Sequence, residues 1–172
     1  MTTVTSLGTG NMGSAIAARV EKAGHTPQAL GSADTDTPVE GEIVIFAVPH
    51  TAIDDVLTQR RDQPDDTVLV DITNPVDFAT FDSLTVAPDS SATAQLQNAV
   101  PGARVLKAFN TKFAATLSSG SVGGARTAVL IAGDDQQAKD QLAGIVTASG
   151  LVQWTRGSCV GRESSRRWVS SR

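Results

Sequence analysis

A chain of 172 residues with 40% apolar side chains can bury one substantial core and is short for two, and its single cysteine, Cys159, excludes a disulfide framework and a thiolate metal cluster. The charge is unevenly spread: residues 1–153 carry nine Lys and Arg against 17 Asp and Glu, whereas residues 154–172 carry five Arg and one Glu. So acidic a body argues against a phosphate-backbone binder. No apolar run approaches the roughly 20 residues of a membrane helix, and Met1–Leu7 lacks the basic and apolar regions of a signal peptide. A cytoplasmic protein with neither nucleic-acid nor membrane partners is expected.

In chain order, Thr3–Leu7 has the composition of a buried strand, and a glycine-rich turn follows it. Met12–Ala23 has helical periodicity and stops at Gly24. Further strands are predicted at Thr26–Leu30 and Ile43–Val48, a helix at about His50–Arg61 and a strand at Thr67–Ile72. Thr73–Ser91 is polar and proline-containing, the kind of long irregular segment that often serves function. A helix at Ala92–Ala99, strands at Arg104–Ala108 and Thr127–Ala132, a helix at Asp134–Ala148 ended by Gly150, and a short strand near Leu151 complete the series. Strands alternating with helices, several of them continuously apolar, predict an α/β Rossmann-type, doubly wound, mostly parallel sheet in a single domain over residues 1–153. Gly31–Gly41 is too short for a crossover helix plus a strand, so the sheet is expected to be trimmed between its second and third strands.

The chief chemical signal is Gly8-Thr9-Gly10-Asn11-Met12-Gly13, set between a predicted strand and a predicted helix. In that setting the first glycine permits a tight turn, the second admits a pyrophosphate, and the third allows close helix packing, while free N–H groups at the helix start bind the anion. A nicotinamide dinucleotide is the expected cofactor. NAD sites usually place an acid at the tip of the second strand; here the tip is Gly31-Ser32-Ala33, with Asp34 just beyond. Ser32 can donate to a 2′-phosphate, so NADP is favoured and NAD is the alternative.

Taken with Ile43-Val44-Ile45-Phe46-Ala47-Val48-Pro49, Val70-Asp71-Ile72-Thr73-Asn74-Pro75 and Val105-Leu106-Lys107-Ala108-Phe109-Asn110-Thr111, this motif resembles the NADP oxidoreductases that use the deazaflavin coenzyme F-420 and their dinucleotide-binding relatives, over nearly all of Met1–Leu151. The resemblance implies that Gly8, Thr9, Gly10, Asn11, Met12 and Gly13 hold the pyrophosphate and that Gly31 and Ser32 hold the 2′-phosphate. Ala47, Val48 and Pro49 would then flank adenosine, with Asn74, Pro75, Phe109, Asn110 and Thr111 on the nicotinamide side. It also implies a homodimer and hydride transfer to a planar acceptor, coenzyme F-420 or a flavin. The sequence departs from the family at Ala33, where NADP-preferring members carry Arg or Lys. No catalytic or metal-binding residue is expected, because hydride transfer belongs mostly to the cofactors.

The remaining chemistry-bearing residues have structural readings at least as strong. His50 reads as a helix-start histidine and His25 as a turn residue, Asp71 as a strand-end carboxylate binding local N–H groups, and Lys107 either as a surface-reaching strand lysine or as a group facing substrate. Phe78 and Phe81 are loop-packing residues or a lid. Pyrroline-carboxylate reductases and hydroxyacid dehydrogenases begin alike but add a helical domain for which this chain is short. A flavin or ferric reductase of the same fold and a non-enzymatic NADP(H) sensor are the alternatives.

Residues 154–172 abandon the apolar periodicity and read as a non-family, Arg- and Ser-rich disordered tail. Relatives continue here with Val-Asp-Ala-Gly-x-Leu-x-Arg-Ala-Arg-x-Leu-Glu-Ala-x-Gly-Phe. Back-translated one base out of frame from the last base of the Gln153 codon, the tail can spell that segment. Two junctions leave no codon freedom: Trp154-Thr155 forces GAC, for Asp, and Trp168-Val169 forces GGT, for Gly, each where the family has that residue. A one-base deletion after Gln153 is therefore expected. The gene sequence is the check: its codons should spell the family segment in the shifted frame, and codons that cannot do so exclude the deletion.

Overall fold

The computed structural model describes residues 1–60, 66–77, 79–80, 82–87 and 90–157. A seven-stranded sheet runs in the order β2-β1-β3-β4-β5-β8-β9. Its strands are β1 (Thr3–Leu7), β2 (Thr26–Leu30), β3 (Ile43–Phe46), β4 (Val68–Asp71), β5 (Arg104–Ala108), β8 (Ala128–Gly133) and β9 (Val152–Arg156). All neighbours are parallel except β5 and β8, which pair antiparallel, Lys107 opposite Ala132. Between those two lies a small hairpin, β6 (Ser121–Val122) and β7 (Ala125–Arg126).

Period-2 alternation divides the apolar residues between two cores. Ile43, Ile45, Val68, Val70, Leu106 and Ala108 face one side, which is covered by α1 (Asn11–Lys22), α4 (Ala114–Ser119) and α5 (Gln136–Ala148) through Ile16, Val20, Leu117, Leu142 and Val146. Val44, Phe46, Leu69 and Val105 face the other side, under α2 (Ile53–Gln59) and α3 (Ala92–Ala99) through Ile53 and Leu96. Strands β3 and β4 are buried on both faces, which is why their sequences are apolar runs rather than alternations. This is the Rossmann-type doubly wound arrangement.

The trimmed edge is present. β2 is an edge strand, and the chain passes from Leu30 to Ile43 through turns, without a helix or a further strand, before β3 pairs on the opposite side of β1. Helix α5 begins on Asp135, whose side chain accepts from the Ala138 N–H at 2.6 Å, as its acidic start foretold. His50–Ala52 forms a single 3-10 turn ahead of α2, which ends at Gln59.

Two features differ from the sequence reading. The hairpin and α4 were not foreseen: a six-residue helix with one buried apolar anchor, Leu117, has too little periodicity to register. The domain boundary at Gln153 cuts a strand, since Trp154, Thr155 and Arg156 pair with Leu130, Ile131 and Ala132. An edge strand takes its hydrogen bonds from the backbone of its neighbour and needs no apolar periodicity, so the first three tail residues complete β9 with Trp154 half exposed. The remainder of the expected tail, from Ser158, lies outside the described residues.

Arg19 secures α4. Its buried guanidinium donates to the Leu117 and Ser118 carbonyls at 2.6 and 2.7 Å and to the Ser149 carbonyl at 3.1 Å, binding the C-terminal ends of α4 and α5 with the charge their dipoles favour. A helix this short is unstable alone. Arg19→Met should therefore lower unfolding free energy by about 3 kcal/mol, the scale of several orphaned carbonyls, in urea denaturation. A loss below about 1 kcal/mol would contradict the assignment.

Candidate functional site

The parallel strands β2, β1, β3, β4 and β5 end at one edge of the sheet, and the segments leaving them, with the start of α1, carry the residues expected to bind a dinucleotide. At about 4.8 Å per strand, β2 to β5 spans roughly 19 Å. The chain leaves β1 toward β2 on one side and then returns to β3 on the other, so the crevice between β1 and β3 is the topological switch point at which such sheets take ligands.

The turn after β1 fills that crevice with backbone. Gly8 has φ +117°, its N–H donates to the Leu30 carbonyl at 2.8 Å, and a Cβ on it would run into the Ala47 carbonyl and come within 3.3 Å of Val48 Cγ1. A Cβ on Gly13 would overlap the Gly8 carbonyl and lie 2.9 Å from Ser6 Oγ, so Gly13 is where α1 presses against the turn. A Cβ on Gly10 would meet nothing within 4 Å. Gly10 is the N-cap of α1, no side chain caps the helix, and Ser14 N donates to the Gly10 carbonyl at 2.9 Å. The positive end of the helix dipole thus lies beside the open space at Gly10, with no side chain capping the first turn.

Toward β2, Gly31 and exposed Ser32 turn at the strand tip. The Asp34 carboxylate folds back onto that tip, its Oδ2 accepting from the Gly31 N–H at 2.7 Å. The expectation of a tip free of carboxylate is corrected here: a turn closed from Asp34 N to the Gly31 carbonyl at 3.3 Å brings the side chain back. Arg60, near the end of α2, donates to the Asp34 and Thr37 carbonyls. Ala47 and Val48 are half-buried beside Gly8, and Pro49 is exposed next to them.

At the other end, Asn74 and Asn110 hold each other. Asn74 Nδ2 donates to the Asn110 carbonyl at 3.0 Å, and Asn110 Nδ2 to Asn74 Oδ1 at 3.2 Å, tying the loops after β4 and β5 together. Pro75 is half-buried and Thr111 exposed on the same loops. Phe109 buries its ring in the core. With φ +60°, a conformation a bulky residue seldom adopts, it turns the chain sharply so that Asn110 meets Asn74.

Beneath these loops lies a polar network whose extent the sequence did not reveal. Asp71 is fully buried; it accepts from Thr73 N, from Thr93 Oγ1 on α3 and from Lys107 Nζ, each at 2.8 Å. Lys107 also donates to the Thr73 carbonyl. The local N–H bond foreseen for Asp71 is present, while Lys107 turns inward rather than snorkelling out. Their spacing on adjacent strands, Asp71 opposite Lys107, was the signal that could have paired them. The segment after Asn74 is a narrow loop, Asp77 N bonding the Ser83 carbonyl and Thr85 N the Pro75 carbonyl; Phe78 and Phe81 lie outside the described residues. His50 stands at the start of the turn before α2, and His25 accepts from Thr2 N at 3.2 Å. Among the described residues no group of His, Cys, Asp and Glu could hold a metal ion, and no helix is long and apolar enough to cross a membrane.

No protein-family model matches the chain. Solved structures do. The hypothetical protein SMa0349 of Sinorhizobium meliloti superposes with a TM-score of 0.77 at 28% identity, over 92% of this chain and 86% of that one. A candidate F420-dependent NADP reductase of Arthrobacter sp. FB24 gives the same TM-score and coverage at 24% identity. The reductive aminase of Aspergillus terreus in complex with NADPH and ethyl levulinate gives 0.63 at 19% identity, and there this chain spans 98% of its own length but 59% of the aminase. These likenesses establish the Rossmann-type fold.

The three glycines separate fold from site. Gly13→Val should destabilise severely because its side chain displaces backbone, whereas Gly10→Val should change the melting temperature by no more than about 4 °C. Thermal denaturation of both variants checks this. Equal destabilisation would contradict the open approach at Gly10.

Proposed function

We propose that this chain is a nicotinamide-dinucleotide-dependent oxidoreductase that exchanges hydride with a planar acceptor such as the deazaflavin coenzyme F-420. The observation that carries the reading is the uncapped start of α1 facing open space at Gly10, between a strand tip suited to adenosine and a tied pair of loops suited to nicotinamide. Two of the solved neighbours are described with NADP or NADPH, which supports NADP(H) as the nucleotide.

A bound dinucleotide would supply the reactive carbon, from which hydrogen leaves with its electron pair for the acceptor. The residues of the chain bind and align. The first-turn N–H groups of α1 neutralise the pyrophosphate, and Gly10 admits it because no side chain stands there. Val48 and Pro49 offer an apolar surface to adenine. The Asn74–Asn110 pair, braced from below by Asp71 and Lys107, fixes the two loops that border the hydride-transfer end, and rigid placement of reactants is the main contribution a protein can make to such a step. The family resemblance also supports a homodimer and a cytoplasmic setting for this activity.

The test couples binding to turnover. Titration with NADPH and NADH should show saturable binding that Gly10→Val weakens by at least about 100-fold, in keeping with a side chain placed in the anion path. The reduced nucleotide should then bleach the F-420 chromophore. Binding with no turnover on F-420, flavin or ferric ion would favour a sensor over an enzyme. Unchanged affinity in the Gly10 variant would remove the pyrophosphate from this turn.

A further inference from the structure

The geometry points to a seat for the hydride acceptor on the face of β8 and β9 turned away from α5, with Trp154 under the acceptor's rings and Lys107 at its polar end. The inference rests on the oxidoreductase reading above and says where in the chain the planar acceptor of that reaction lies.

The face follows from strand register. Val129 and Ile131 point into the core beneath α5, so Leu130 and Ala132, which alternate with them, point to the opposite side of the sheet. Parallel pairing puts Trp154 beside Leu130, and antiparallel pairing puts Lys107 opposite Ala132, so these side chains share one face. It is the face of α3, since Asp71 takes hydrogen bonds from both Lys107 and Thr93 of that helix. There α3 packs over β4 and β5. Leu130 and Ala132 are only half-buried and Trp154 is half exposed, whereas parallel sheets are ordinarily covered on both faces. An open apolar step is left beside α3.

Height on the sheet ties this step to the hydride-transfer end. Ala108 pairs with Ile131, so Leu130 and Trp154 stand one residue beyond, level with the point where the Asn110 loop leaves β5. From Lys107 to Trp154 is two strands across and two residues along, roughly 12 Å between Cα atoms. A fused three-ring plane bridges such a span.

The polar end has hydrogen-bonding capacity to spare. An ammonium carries three N–H groups, and among the described residues that of Lys107 has two partners, Asp71 Oδ2 and the Thr73 carbonyl. Thr73, whose carbonyl Lys107 holds, is itself buried, and its Oγ1 has no partner. Unmatched polar groups in a buried place are costly, and a ligand's carbonyl oxygen satisfies them. When hydride adds to a ring atom of a flavin or deazaflavin, the nicotinamide carbon is oxidised, the ring is reduced, and the electron pair makes the ring an anion. Its charge spreads onto the ring's carbonyl oxygens, and no proton is taken from the protein. The remaining Lys107 N–H donates to such an oxygen and so favours the reduced ring over the oxidised one. Trp154 and Leu130 supply the stacking surface.

Riboflavin and coenzyme F-420 are the probes, each titrated in oxidised and reduced form onto the full chain and onto Trp154→Ala, Leu130→Glu and Lys107→Met. NADPH is titrated onto each as a control, and a thermal melt shows that each is folded. Trp154→Ala and Leu130→Glu should each weaken binding of the oxidised probe by about tenfold or more and leave NADPH affinity within about twofold. Lys107→Met should weaken the reduced probe at least about tenfold more than the oxidised one, a split that mere loosening of the Asn74 loop does not produce. Unchanged probe affinity in both face variants overturns the inference, and so does equal weakening of the two probe forms in Lys107→Met. A chain that binds NADPH but neither probe overturns it as well. Sedimentation as a dimer that Leu130→Glu abolishes, with probe affinity unmoved, gives the face to a second copy of the chain and also overturns it. Failure to bind NADPH would instead overturn the dinucleotide reading on which the inference rests.

Discussion

The Ala47 carbonyl stands where a side chain on residue 8 would begin, with its carbon 2.7 Å from that position, and the Gly8 carbonyl occupies the same place relative to residue 13. Backbone packed against backbone at these two points draws β1, α1 and β3 together more closely than any side chain allows. The arrangement brings the start of α1 to the switch point of the sheet and leaves its first-turn N–H groups without partners there. The strand order makes the crevice, and the missing Cβ atoms let backbone alone line it, which is the form of site proposed for the pyrophosphate.

At either end of that turn the protein uses different means. The β2 end, proposed above for adenosine, is built from an edge strand and a helix-free loop, so its shape depends on local bonds: Asp34 to Gly31, Arg60 to the loop carbonyls, Gln28 to Pro38 and Glu40. The other end, proposed for nicotinamide, is built on β4 and β5, inside the sheet, and rests on a charged pair of which Asp71 is fully buried and Lys107 mostly so. Asp71 and Lys107 are worth little as net stabilisation, since desolvation offsets much of their attraction. Their value is geometric, for removing either partner strands the other and frees the Asn74 loop.

Much of this was legible in the sequence because it follows from short-range rules. Apolar runs such as Ile43–Phe46 declare strands buried on both faces, and Gly8, Gly10 and Gly13 between a strand and a helix declare the turn. Asp135 announced the start of α5, and the short Gly31–Gly41 connection announced the trimmed edge. What stayed hidden depends on contacts distant in sequence or on backbone angles. Nothing local shows that Lys107 turns toward Asp71, that Arg19 reaches carbonyls about a hundred residues away to hold α4, or that Phe109 adopts a left-handed conformation and buries its ring. The Asp34 carboxylate was hidden for a smaller reason: it is three residues beyond the strand-tip glycine, and a turn, not the strand, brings it back.

The account depends on the first turn of α1 being the anion site, and amide chemical shifts test that directly. In a two-dimensional proton–nitrogen spectrum of the labelled chain, titrated in parallel with NADH and NADPH, the amides of Asn11, Met12 and Gly13 should move furthest, followed by those of Gly31 and Asn110 at the two ends. Shifts gathered instead around the groove of about 240 Å³ between α2 and α3, lined by Ile53, Leu57, Gln95 and Leu96, with the α1 amides unmoved, would contradict it.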